Sequence, residues 1–250
     1  MELLSSVIHV AERAGELVLD LRQAGLTVSI KADGSKVTNA DIAAENFVKT
    51  GLGKVAPDIP FISEESAAPL VKDGQAWWCV DPIDATNELI AGSSYFSINI
   101  ALIEQGRAIL GVIHLPALNL TYAGELNPKP QAWKKERDVL KPIHVRKAGK
   151  TIDLTVSSPG HAKPERLGKA IGDKIIGDVR RLNGSYKFGL VAEGSVDFYP
   201  RFTRLHAWDV AAGAAIIEAA GGKALTMEGA ALRFDPTQLE LEPFMMRGNW

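Results

Sequence analysis

Between residues 96 and 115 the sequence spells out a β-hairpin, and this fixes much of what the chain can become. Phe96, Ile98, Ile100 and Leu102 alternate with Ser97, Asn99 and Ala101, Gln105-Gly106 makes a turn, and Ile109 to Leu115 returns as a second apolar run. A period of two belongs to strands, and a short turn between two such runs pairs them antiparallel. Ile59 to Ser63 and Trp77 to Val80 are shorter β-type runs and read as buried strands. Leu4, Ile8, Ala11, Gly15, Val18 and Leu21 recur at helical spacing, so a helix is expected over roughly 4–23, stopped by Gly25. Lys31 to Val37 reads as a loop, after which Thr38-x-x-Asp41 opens a second helix as a capping box, ending before Pro57. The expectation is a mainly antiparallel sheet covered by the first two helices.

From about residue 150 the pattern alternates. Leu154 to Ser157 and Val196 to Tyr199 read as strands, 163–172 and Lys187 to Glu193 as helices. Ala207 to Ala220 is a long Ala-rich helix ended by Gly221-Gly222, with Lys223 to Thr226 a strand after it. Residues 127–150, with Pro128, Pro130, Pro142 and many basic residues, read as a surface excursion and a boundary. The division expected is an N-terminal α+β domain over 1–150 carrying most metal ligands, and a C-terminal α/β domain over 151–250.

Composition narrows the function classes. A net charge of −2 gives no general attraction to nucleic-acid backbones or anionic membranes, so a phosphorylated partner would need local cations or metals. Cys79 is the single cysteine, which excludes an internal disulfide and a thiolate cluster. No apolar run approaches the roughly 18 residues a membrane span needs, and the chain starts without a basic region leading into an apolar stretch. A cytoplasmic protein is expected, with peripheral membrane association left open. The histidines at 9, 114, 144, 161 and 206 show no metal-ligand spacing and read as surface or satisfied core residues.

The densest chemical signal is Asp81-Pro82-Ile83-Asp84-Ala85-Thr86 at the end of an apolar strand. Two carboxylates three residues apart around a proline of fixed φ can converge, with the Ile83 carbonyl as a further hard oxygen. Mg²⁺ prefers such ligands. Ser63-Glu64-Glu65-Ser66 again puts acids at a strand's end, and Trp208-Asp209 opens the Ala-rich helix. Each alone has an ordinary account as a cap, a turn or a helix-dipole partner, as do Asp33 and Asp41. Together they suggest a site of two or three metals that clamps a phosphate and activates water, with Glu64 and Thr86 orienting that water.

Glu64-Glu65, Asp81-Pro-Ile-Asp84-x-Thr86 and Trp208-Asp209-Val-Ala-Ala-Gly213, in this order, resemble the inositol monophosphatase superfamily. Lys31-Ala-Asp33-Gly-Ser-Lys-Val-Thr38-Asn-Ala-Asp41, Lys187-Phe-Gly-Leu-Val-Ala-Glu193-Gly and Asp197-Phe-Tyr-Pro-Arg201 are similar to its CysQ-type 3′(2′),5′-bisphosphate nucleotidases. The resemblance implies an α/β sandwich of alternating helix and sheet layers (αβαβα) with the site between its halves. It implies one Mg²⁺ on Glu64, Asp81 and the Ile83 carbonyl, a second on Asp81, Asp84 and Asp209, and a weaker third facing Glu64. Thr86, with Asp33 and its loop, would position the attacking water. Ala85, Thr86, Ser185, Lys187, Glu193, Arg201 and Asp209 would contact substrate. The implied reaction takes the 3′-phosphate from adenosine 3′,5′-bisphosphate to leave AMP, with lithium inhibition and a place in sulfur assimilation. An inositol or sugar monophosphatase of the same superfamily and a non-catalytic nucleotide or metal sensor stay open, as does a homodimer.

Three positions depart from the family pattern. Its Asp-Gly-Thr is Asp84-Ala85-Thr86, position 87 is Asn where this branch carries Lys, and its Gly-Ser-Ser-x-Lys is Asn183-Gly184-Ser185-Tyr186-Lys187.

Overall fold

A computed structural model describes residues 2–66, 71–72, 74–157 and 164–250. Helix α1 (Glu2–Ala24) buries Leu4, Val7, Val10, Ala11, Ala14 and Val18 along one face, and Gly25 ends it at φ 110°. The segment expected to be a loop is instead a tight hairpin, β1 (Val28–Ile30) against β2 (Lys36–Thr38), because the turn formers lie only at 31–35. Helix α2 (Asn39–Val55) starts on the expected capping box of Thr38 and Asp41.

A seven-stranded sheet follows, with its strands in chain order: β3 (Phe61–Ser63), β4 (Trp77–Asp84), β5 (Ser97–Glu104), β6 (Arg107–Leu115), β7 (Leu120–Glu125), β8 (Gln131–Glu136) and β9 (Val139–Pro142). Every neighbouring pair is antiparallel except β3 and β4. The short helix α3 (Thr86–Ile90) interrupts the chain between β4 and β5. The surface excursion expected over 127–150 is largely sheet, since the partly buried β8 and the exposed β9 extend its outer edge with little apolar period to read. The second half gives β10 (Thr151–Val156), α4 (Pro164–Ile171), β11 (Ile175–Arg181), α5 (Tyr186–Ala192), β12 (Phe198–Arg201), β13 (Leu205–His206), α6 (Ala207–Ala219), β14 (Lys223–Thr226), β15 (Glu240–Leu241) and β16 (Phe244–Arg247). Five of these strands form a sheet in the order β11-β10-β12-β16-β14, while β13 pairs with β15.

The strand alternation explains the layering. Trp78, Val80, Ile98, Ile100, Leu102 and Val112 face α1 and α2, while Trp77, Cys79, Ala101, Ile103 and Ile113 face α5 and α6. Both faces of the large sheet are covered, so its central strands are apolar on both sides. Helix α6 lies between the two sheets and is buried nearly all round, which an Ala-rich helix permits. Gly111 marks how close the approach is: a Cβ there would lie 2.3 Å from the Ala212 carbonyl oxygen. Beyond the second sheet, α4 packs Leu167 and Ile171 on Ile152, Leu154 and Phe198. The order of layers is therefore helix, sheet, helix, sheet, helix, as expected.

Candidate active site

The site begins as a defect in β4. Asp81 pairs with Asn99 and Asp84 with Ser97, three steps along β4 against two along β5. On a regular strand, residues three apart point to opposite faces. The extra residue is a bulge that reverses the parity, so both carboxylates reach the same side. Ile83 N–H then donates to Asp81 Oδ1 at 3.0 Å. From the far half of the chain Asp209, in the first turn of α6, accepts the His206 N–H at 2.8 Å. One oxygen each of Asp81, Asp84 and Asp209 lies within 4.8 Å of the others.

The bonds these acids accept come from neutral donors: Ile83 N–H, His206 N–H and, at 3.4 Å from Asp84, the Ser97 hydroxyl. Burial, then the charges of Glu64, Asp84 and Asp209, push the Asp81 carboxyl well above the usual range. Asp209 is pushed up to about 7, by burial first and Asp84 next. Asp81 Oδ2 is buried and has no hydrogen-bond partner. A buried carboxylate oxygen with no donor, in a ring of like charges, fits a cation, and an all-oxygen donor set suits a hard one.

Thr86 follows Asp84 after a sharp turn. Ala85 makes it in the left-handed region, at φ 66° and ψ 50°. That conformation costs a non-glycine residue about 1–2 kcal/mol. It brings the Thr86 hydroxyl 2.9 Å from Asp41 Oδ1 and 3.1 Å from the Ile83 carbonyl. Asp41 has two functions: its Oδ2 takes the Thr38 N–H and hydroxyl of the helix cap, leaving Oδ1 for Thr86. Asp33, the residue expected beside Thr86, is not there. It is exposed in the hairpin turn, and its Oδ1 accepts from the Ser35 N–H and hydroxyl at 2.9 and 2.7 Å. The Thr38-x-x-Asp41 motif was readable, but as a cap alone.

Glu64 stands at the end of β3, where Lys31 Nζ donates to its Oε1 at 2.8 Å and to Glu65 Oε1 at 2.6 Å. Burial alone would lower Lys31, yet the two glutamates more than offset it and hold the ammonium charged.

Cations line the same site. A cavity of about 150 Å³ is lined by Asp84 and Asp209 together with Ser157, Ser185, Lys187 and Arg201. Lys187 is buried, lies 5.4 Å over the Tyr199 ring and donates to the Gly184 carbonyl. Burial lowers it to about 8, against the pull of Asp84. Arg201 donates to the Ser157 hydroxyl at 3.1 Å. Ser185 accepts from Asn99 Nδ2 at 2.9 Å, tying the second half to the strand beside Asp81. Ser97 and Asn99 were missed as site residues, although polar side chains in a strand buried on both faces are a signal. Glu193 is not brought in: it is held by Tyr122 OH at 2.9 Å, Lys134 at 2.8 Å and Ser195. Asn87 is exposed, and His161 lies outside the described residues.

Residues 2–243, nearly the whole chain, match the inositol monophosphatase family. The chain belongs to that family. Among its relatives is the 3′(2′),5′-bisphosphate nucleotidase CysQ of Shigella flexneri, 36% identical over 245 residues that cover 96% of this chain and 97% of that protein. The CysQ of Bacteroides thetaiotaomicron superposes with a TM-score of 0.80 at 28% identity, covering 99% of this chain and 97% of that one. An inositol monophosphatase of Thermotoga maritima gives 0.77 at 25% identity, covering 99% and 92%. The inositol monophosphatase-family fold and a phosphate-ester hydrolase of this class are thereby established. Among the described residues no helix is long and apolar enough to cross a membrane.

Proposed function

We propose that this family member is a Mg²⁺-dependent phosphatase that takes the 3′-phosphate from adenosine 3′,5′-bisphosphate, leaving AMP and inorganic phosphate. The observation that carries the chemistry is the unpartnered Asp81 Oδ2 among converged carboxylates, with the Thr86–Asp41 pair beside them. Glu64, Asp81, Asp84, Asp209 and the Ile83 carbonyl would hold the metal. When bound, Mg²⁺ would supply charge neutralisation for the phosphoryl oxygens and lower the pKa of water.

The chain's own groups supply the proton path. Thr86 Oγ1 passes its proton to Asp41 Oδ1 as it takes one from the attacking water. The water oxygen bonds phosphorus, the P–O ester bond breaks in line, and the departing 3′-oxygen takes a proton from solvent. Asp41 can act as this sink because its other oxygen stays fixed by the helix cap. The backbone N–H groups at Ala85 and Thr86 would orient the phosphoryl group.

Support for a substrate with two phosphates comes from Lys187 and Arg201, two cations that line the cavity with Asp84 and Asp209. The 36% identity to CysQ adds to it. The test is phosphate release with Mg²⁺ from adenosine 3′,5′-bisphosphate beside inositol 1-phosphate. Preference for the inositol ester would reject this substrate, and no release from either would reject catalysis.

A further inference from the structure

Lys31 belongs to no step of the reaction above, yet its position bears on the metal. It follows β1, a strand whose residues are all exposed, and its side chain reaches inward to two glutamates. The two differ. Glu65 is nearly buried, with a side chain 7% exposed, while the Glu64 side chain is 29% exposed. Glu64 lies beside Asp81 across the β3–β4 pair, where Ser63 is in register with Val80 and the Glu64 N–H donates to the Val80 carbonyl at 3.3 Å. Glu64 Oε1 therefore already holds a cation on a carboxylate read as a metal ligand. Two cations on one carboxylate repel, and a half-buried setting screens that repulsion less than bulk water does. Lys31 has an alternative acceptor at 2.6 Å and need not be stranded when displaced.

We infer that Lys31 is a built-in counter-ion for Glu64: Mg²⁺ enters in exchange for the ammonium, which withdraws to Glu65, so that Lys31 sets how tightly the site holds metal. It is a positioning residue acting through Glu64, and the inference rests on the reading of Glu64 as a metal ligand. Glu65, with its oxygen 2.6 Å from Lys31 Nζ and a side chain only 7% exposed, serves as the ammonium's resting place.

The experiment is calorimetric titration of MgCl₂ into metal-stripped protein. Lys31→Met removes the competitor and should tighten Mg²⁺ binding about tenfold, while Lys31→Arg keeps the charge and should stay within about threefold of the parent. Glu65→Gln removes the resting place and should weaken binding several-fold, which keeps the test open should Lys31→Met fail to fold. Unchanged or weaker binding in a folded Lys31→Met protein overturns the inference, and so does unchanged binding in Glu65→Gln. Asp84→Asn separates the two levels: if it leaves the titration unaltered, the site reading fails, whereas lost binding there beside an unaltered Lys31→Met rejects only the role of Lys31.

Discussion

Replacing Asp209 by Asn should make the metal-free protein more stable while removing its activity. Asp209 rises from 3.8 to about 7 in the fold, roughly three pKa units, or about 4 kcal/mol when fully expressed. The sign follows from proton binding. Between those values the folded protein holds a proton that the unfolded chain has released, so stability falls as pH rises through the window. Asn titrates nowhere, and its amide oxygen can still accept the His206 N–H that Asp209 takes at 2.8 Å. The substitution loses a negative charge in the first turn of α6, a favourable term of about 0.5–1 kcal/mol. The net gain expected above pH 7, in EDTA, is roughly 3 kcal/mol, shrinking to nothing near pH 4. For a chain of this length that is a rise in Tm of about 5–10 °C. Urea denaturation at pH 5 and pH 8 measures it. With Mg²⁺ present the order should reverse, because only the parent gains binding free energy. An Asp209→Asn protein less stable than the parent at pH 8 without metal would refute the crowding of like charges on which the site is argued.

Other expectations are independent of that one. Ala85→Gly removes about 1–2 kcal/mol of left-handed strain and adds about 0.5–1 kcal/mol of unfolded-state entropy, so thermal scans should show a gain of up to about 1 kcal/mol, and a loss would contradict the conformation at residue 85. Thr86→Ala and Asp41→Asn should each lower kcat by at least about a hundredfold with KM little altered, whereas Asp33→Asn should change either by less than about threefold; a large effect at Asp33 would restore it to the mechanism. His114 is buried neutral beside Thr121, and burial lowers it to about 4. The unfolded chain gains its proton first as pH falls, so this group should cost about 3 kcal/mol of stability between pH 7 and pH 4, a slope that His114→Gln abolishes in denaturation curves.

Much of the fold could be read from periodicity, and the exceptions share a cause. Helices α1 and α2 bury one side, and β5 and β6 are apolar runs joined by a short turn, so apolar spacing marks them. Strand β9 and most of β11 have exposed side chains, and β8 is only partly buried. Their places come from backbone pairing, β8 between β7 and β9 and β11 beside β10, and side-chain period carries little of that. The hairpin β1–β2 was hidden for the same reason: its residues are nearly all exposed, and turn formers at its centre dominate the composition.

The site was legible in its residue types and not in its connections, and the β4 bulge shows why. A regular strand would have turned Asp81 and Asp84 apart, and the sequence suggested their convergence only through Pro82. What reverses the parity is the register against β5, a relation between Asp81 and Asn99 and between Asp84 and Ser97. The same reasoning applies to Asp41. As a cap it needs one oxygen, and only the placement of α2 beside the Asp84–Thr86 turn shows what the second one does. Glu193 is the converse: its motif matched, but α5 turns it toward Tyr122 and Lys134, where its charge is already met. A carboxylate in this fold is therefore open to a metal where neighbouring donors leave an oxygen unpaired, and Asp81 Oδ2 is buried with no partner. Asp81→Asn should accordingly abolish Mg²⁺ binding in calorimetry while the chain stays folded, and retained binding would place the metal elsewhere.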